Sequence, residues 1–224
     1  VGISCMTSNA YRAYRIADTF RKKGKTVIKG GVHPSLLPGE ALEHADSVVI
    51  GEAEGVWEKL LADIENDNLQ SIYHEANPDL QKYVPKDFSC LPKKRIYNLI
   101  PLQTSRGCPY NCDFCCVSDI FGKKIKLIPV ENIVRDIKES KGKNFIFLDD
   151  NIIGQRDYAK ELFKALIPLK IGWIGQSSIS FAHDTETMKL AKESGCKGLF
   201  IGLESVKENG NQKFKKLKSL DDTK

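Results

Sequence analysis

Four cysteines, Cys108, Cys112, Cys115 and Cys116, fall within nine residues. The first three have the spacing CxxxCxxC and follow directly on an apolar run, Leu99 to Thr104, that reads as a strand. Three thiolates on one tight loop can each bind one iron of a cubane four-iron four-sulfur cluster, which leaves the fourth iron without a protein ligand. Such an iron can coordinate a small molecule and react with it. The competing chemistry is zinc, which wants four Cys or His ligands at a structural site. Cys116 is the one nearby candidate, and its side chain follows Cys115 immediately. His33, His44, His74 and His183 are all remote in sequence. The cluster is the reading carried forward; Cys116, like Cys5, Cys90 and Cys196, is read as a small buried side chain.

A loop of this kind needs a rigid sheet beneath it, and the sequence supplies a repeating one. Beyond residue 98, four apolar segments recur at Leu99 to Thr104, Asn144 to Leu148, Ile171 to Ile179 and Gly198 to Leu203. Between them lie helical patterns at about Val130 to Ser140, Gln155 to Leu169 and Asp184 to Ser194, the last with Met188, Leu190 and Ala191 facing inward. Consecutive βα units build an open parallel sheet or a (β/α) barrel, and either places its active site at the carboxyl ends of the strands. The first seventy residues repeat the alternation. Val1 to Cys5 reads as a strand, Asn9 to Lys23 as a helix stopped by Gly24, Lys25 to Lys29 and Ala45 to Ile50 as strands, and Glu54 to Ile64 as a helix. Strand ends marked by Gly30, Gly31 and Gly51 describe part of a doubly wound sheet. Residues 71–98 lose periodicity and carry several X-Pro steps, the signature of a linker.

Composition narrows the class. Of 224 residues, 41% are hydrophobic and 28% charged, and no apolar run approaches the ~20 residues that a membrane span needs. Net charge is −3 up to residue 75 and +8 beyond it, too mild and too scattered to predict nucleic-acid binding. Seven cysteines, an odd number without a secretory leader, fit a cytoplasmic protein with reduced thiols.

The cysteine motif, with Phe114 just before its third cysteine and the Arg106-Gly107 lead-in, resembles that of the radical S-adenosylmethionine superfamily. The resemblance implies that Cys108, Cys112 and Cys115 hold a [4Fe–4S] cluster. Its open iron would chelate the amino and carboxylate groups of S-adenosylmethionine, and its electron would release a 5′-deoxyadenosyl radical. It implies further that Phe114, Asp149, Asp150, Gln176, Glu204 and Ser205 face that cofactor, the last two at its ribose. The Gly-Gly-Glu motif usual after the second strand is absent. One of Asp149 and Asp150 can equally be read as the cap of the helix starting near Gln155.

Ser4, Gly30, Gly31 and Gly51, at successive strand ends ahead of the linker, resemble the later half of a cobalamin-binding domain. His33 is read as a packing or surface residue rather than a cobalt ligand. Over the whole chain the resemblance is to cobalamin-dependent radical S-adenosylmethionine enzymes. The expected architecture is α/β: a partial doubly wound cobalamin-binding domain (1–70), a linker (71–98) and a truncated (β/α) radical S-adenosylmethionine partial barrel (99–224). The family's strands before Val1 and its last two βα units have no counterpart here, so the chain reads as a fragment lacking both ends. The implied reaction is C-methylation of an unactivated carbon in a small-molecule or lipid substrate, with flavodoxin or ferredoxin as electron donor. Its rivals are ring formation or methylthiolation without cobalamin and, from another class, a zinc-stabilised binding module.

Overall fold

The computed structural model describes residues 1–75, 78–82, 84, 86–88, 99–110, 112–122 and 124–203. They form two compact units. One comprises Val1–Asp79 with Asp119–Gly122, the other Leu80–Ser118 with the described residues from 124 onward.

The first unit runs β1 (Gly2–Ser4), α1 (Ala10–Arg21), β2 (Ile28–Gly30), α2 (Val32–Leu36), α3 (Pro38–Glu43), β3 (Ser47–Gly51), α4 (Trp57–Glu65) and β4 (Ile72–Glu75). The four strands are parallel, in the order β1-β2-β3-β4. Helix α1 forms because Ala10, Ala13, Tyr14 and Ala17 recur at helical spacing and all four are buried. Gly24, at φ 66°, follows its end. Successive strand residues point to opposite faces. Val48 accordingly packs with Ala13, Ala17 and Ala41, while its neighbour Val49 packs with Leu60 of α4. Helices therefore cover both faces, as a doubly wound sheet requires.

Strand β4 lies inside the stretch that the sequence presents as linker. It is an edge strand of four residues, with Ile72 exposed and Tyr73 buried, too short for its alternation to stand out.

The second unit contains β5 (Ile100–Leu102), a two-stranded antiparallel ladder of β6 (Ser105–Arg106) and β7 (Lys126–Leu127), the start of α5 (Val117–Phe121), whose residues from Asp119 belong to the first unit, α6 (Val130–Ser140), β8 (Asn144–Phe147), α7 (Arg156–Leu166), β9 (Gly172–Ser178), α8 (Thr185–Glu193) and β10 (Cys196–Gly202). The main sheet is parallel, ordered β10-β9-β8-β5. Its helices lie on one face. Ile100, Leu102, Phe145, Phe147 and Trp173 pack against Ile133 and Ile137 of α6, Leu162 and Phe163 of α7, and Ala191 of α8. Trp173 stacks on Phe163 at 5.2 Å and meets Phe147 edge-on at 5.4 Å. In α8 the inward residues are Thr187 and Ala191; Met188 is exposed, because the helix turns the face one residue before it to the core.

The opposite face carries Pro101, Ile146, Ile174 and Gly198 in one row, fixed by the register Pro101 to Ile146, Ile146 to Ile174 and Ile174 to Gly198. One-sided helix cover over consecutive βα units is the construction of a barrel wall. Gln176 and Phe200, paired in register, point the same way nearer the carboxyl ends, and both are exposed.

Candidate functional site

The cysteine loop leaves the carboxyl end of β5 through the β6/β7 ladder. Gly107, at φ 90°, makes the turn into Cys108, a backbone conformation that a side chain would strain. Cys108 and Cys115 are half-buried and Cys112 is buried, while Cys116 is exposed, contrary to the sequence reading. Cys116 follows the turn in which Cys115 N donates to Cys112 O at 3.0 Å, and so leaves the loop outward. Cys196 is half-buried and Cys5 buried; Cys90 lies outside the described residues.

Two adjacent carboxylates hold the root of this loop. Asp149, at 0% exposure just beyond β8, accepts through Oδ1 from Thr104 Oγ1 at 2.6 Å, Ser105 N at 2.5 Å, Ser105 Oγ at 2.6 Å and Thr104 N at 3.1 Å. Burial pushes its carboxyl above the usual range, and the Ser105 and Thr104 donors oppose that rise. Asp149 is thus a brace and presents no surface to a ligand. Asp150 is half-buried and accepts from Gly107 N at 3.2 Å. Neither residue caps α7. Gln155 does, its side chain accepting from Tyr158 N at 2.5 Å.

Farther along the loop, Tyr110 OH donates to Ser180 Oγ at 3.0 Å, Ser180 and Ser178 share a hydroxyl bond at 2.7 Å, and Ser178 N donates to Asn151 Oδ1 at 3.2 Å. Below the root, Tyr158 OH donates to Ile128 O at 2.6 Å and Thr104 O at 3.1 Å, pinning both sides of the ladder to α7.

Chemically the donor set fits an iron–sulfur cluster. Burial pushes the Cys108 thiol up, the Tyr110 backbone N–H opposes that rise, and the charges of Asp150, Cys112 and Cys115 add to it. A zinc ion asks four donors to converge within about 2.3 Å of one point. Among the described residues no group of three or more His, Cys, Asp and Glu side chains is so placed. A cubane would take one thiolate at each of three irons, which suits three cysteines on one loop. The profile of the Radical SAM superfamily matches residues 102–224, more than half of the chain, beginning in β5 and taking in the cysteine loop.

The chain belongs to the radical SAM superfamily.

Its relatives include two methyltransferases of Chlorobaculum tepidum. Bacteriochlorophyllide d C-8(2)-methyltransferase is 37% identical over 237 residues, 96% of this chain and 52% of the relative. Bacteriochlorophyllide d C-12(1)-methyltransferase is 36% identical over 217 residues, 92% of this chain and 48% of the relative. The chain thus spans about half the length of the curated relatives it matches. Among solved structures, the radical S-adenosylmethionine methyltransferase TsrM from Kitasatospora setae, with cobalamin and a [4Fe–4S] cluster bound, superposes with a TM-score of 0.83 at 16% identity. The match covers 100% of this chain and 54% of that one. The shared fold is the expected one, a doubly wound α/β unit followed by a partial barrel.

Within the radical SAM unit, Phe114 is 56% exposed on the cysteine loop. Gln176 is exposed near the end of β9; its side-chain amide lies 3.5 Å from Asp149 O, and its carbonyl accepts from Ile152 N at 3.0 Å. Glu204 and Ser205 lie outside the described residues.

In the first unit the strand ends converge as the sequence suggests. A Cβ on Gly31, at φ 93°, would stand 2.5 Å from Ser4 Oγ and 2.9 Å from Cys5 O, so β1 and β2 meet there only because position 31 has no side chain. Ser35, which sequence reasoning passed over, donates to Gly31 O at 2.8 Å and accepts from Gly51 N at 2.9 Å, tying β2 to β3. His33 is buried, with Nδ1 3.2 Å from Thr7 Oγ1 and Nε2 2.9 Å from Tyr14 OH. Both ring nitrogens serve the packing, as expected. Beneath them Lys29 is fully buried; its ammonium lies 3.8 Å above the Tyr14 ring and finds no hydrogen-bond partner among the described residues.

Proposed function

We propose that the native protein is a cobalamin-dependent radical S-adenosylmethionine enzyme that methylates an unactivated carbon. The observation that carries this reading is the braced CxxxCxxC loop at the carboxyl ends of a parallel sheet covered by helices on one face. Cys108, Cys112 and Cys115 would each hold one iron. The cluster, when bound, supplies the single electron that cleaves S-adenosylmethionine. Asp149 keeps the loop root in place, and Asp150 fixes Gly107 beside the first ligand. We assign Phe114 and Gln176, both exposed, to the nucleoside, and Glu204 and Ser205 to its ribose on motif alone.

Gly30, Gly31 and Gly51, with Ser4 beside them, would let a corrinoid approach the first sheet's backbone, a role supported by the lack of side chains at the three glycines and by the cobalamin that TsrM is named as binding. Cobalamin, when bound, would carry the methyl group. We read residues 1–70 as the later part of the cobalamin domain, 71–98 as the connection and 99–224 as the first part of the barrel. The setting is cytoplasmic, with flavodoxin or ferredoxin as the electron source. Since the two Chlorobaculum relatives are named for methylation of a chlorin, a chlorin is the first small-molecule substrate to try.

The test is anaerobic reconstitution of the native full-length protein, followed by assay of iron, acid-labile sulfide and bound corrinoid. About four irons with matching sulfide and one corrinoid are expected. Cluster without corrinoid would turn the reading to ring formation or methylthiolation; zinc without sulfide would end it.

A further inference from the structure

We propose that Tyr110 is a positioning residue. Its hydroxyl latches the arm between Cys108 and Cys112 to the end of β9, and so sets the separation between the cluster and the strand edge facing S-adenosylmethionine. The proposal rests on the functional reading above. The root of the loop belongs to β8, because Asp149 and Asp150 hold Thr104, Ser105 and Gly107. Tyr110 reaches the turn that follows a different strand, β9, crossing 70 residues of sequence to Ser180, at 3.0 Å. Ser180 is itself held by Ser178 at 2.7 Å, and Ser178 is 5% exposed and bonded through its N–H to Asn151, which is 3% exposed. The hydroxyl therefore ends on a buried, fixed chain of partners. A phenylalanine ring would fill the same space and lack the bond to Ser180.

S-adenosylmethionine on such a site is a two-point ligand, chelated at the cluster and resting on the strand ends. For a two-point ligand the affinity depends on how well the separation of the two points is fixed in advance. The root alone leaves the arm beyond Cys108 free to tilt about Gly107. The bond from Tyr110 to Ser180 removes that freedom and registers the first two iron ligands against the end of β9, two residues beyond Gln176. Loss of the hydroxyl leaves all three thiolates in place, so cluster content survives while the register is lost.

The experiment uses the native full-length protein, reconstituted anaerobically, as wild type, Tyr110→Phe, Ser180→Ala and the double variant. Iron content should equal wild type in all. The dissociation constant for S-adenosylmethionine, by equilibrium dialysis, should rise about threefold to tenfold in each single variant, the net weight of one hydrogen bond. The change that S-adenosylmethionine induces in the electron paramagnetic resonance spectrum of the reduced cluster should shrink in parallel. The double variant should be no weaker than the worse single one, since both break one link. Wild-type affinity and spectra in both single variants would overturn the latch and leave the functional reading intact. Iron loss in proportion to weakened binding would also overturn it, showing a merely structural contact. A wild type that takes up no cluster would overturn the functional reading, and the latch with it.

Discussion

At the carboxyl ends of the first sheet the chain is held together by small residues: Gly31 against Ser4, and one serine hydroxyl spanning Gly31 and Gly51. At the same ends of the second sheet it is held by charge, with one buried carboxylate accepting four bonds and its neighbour a fifth. The first arrangement draws neighbouring strand ends together where glycine leaves room for a serine hydroxyl. The second fixes a protruding loop whose own side chains must be delivered to set positions. The contrast is one of means: close backbone approach at glycines in one unit, buried carboxylates accepting from loop donors in the other.

The sharpest way to break the comparison is at the cysteines. Cys108→Ala, Cys112→Ala and Cys115→Ala should each abolish iron uptake on reconstitution, whereas Cys116→Ala, exposed and outside the turn, should retain it. Equal loss in all four would mean a metal bound by four thiols. Next in size is Asp149→Ala. It strands the donors of Thr104 and Ser105 in a buried site, and chemical denaturation should show a loss of about 3 kcal/mol or more with reduced iron uptake. Gly31→Ala should cost about 2 kcal/mol, through its positive φ and the collision with Ser4 and Cys5, and should lower corrinoid retention without touching iron content. Corrinoid retained at wild-type level would detach the glycine edge from the proposed ligand.

The smallest effect has the opposite sign. Burial lowers the Lys29 amine below its ordinary range, so between its folded and unfolded values the unfolded chain binds more protons and stability rises with pH. Lys29→Met should remove that alkaline rise and leave the protein at neutral pH as stable as wild type or about 1 kcal/mol more so, the lost contact with Tyr14 partly offsetting the relief. A marked destabilisation would show that the buried cation is needed where it is.

Much of this was legible in sequence where an element carries several periods of its own pattern. Helix α6 runs from Val130 to Ser140 in both accounts, because Val130, Ile133, Val134 and Ile137 define a face unaided. The cysteine spacing and its place after a strand were likewise local facts. One-turn helices such as α2 and α3, and β4 with four residues, contain too little repetition to declare themselves. The site's supports were less visible still. Asp149 was read as a ligand or a cap because only the folded sheet shows that its oxygens meet Thr104 and Ser105, and Gln155 took the cap instead. Ser35 and Tyr110 gave no signal, since a serine on a one-turn helix or a tyrosine in a loop is ordinary until its partner is known. The hydroxyl pair Thr104 and Ser105, directly ahead of the cysteine motif, was the one available hint that an acceptor had to be near.

The knot at Asp149 also orders events in time. It joins groups 45 residues apart, and it can close only when β5 and β8 already lie side by side. The cysteine loop therefore takes its shape late, after the sheet has condensed. Before that moment the thiols ride on an unorganised chain with nothing to hold them for a cubane, so cluster delivery must follow the folding of this sheet.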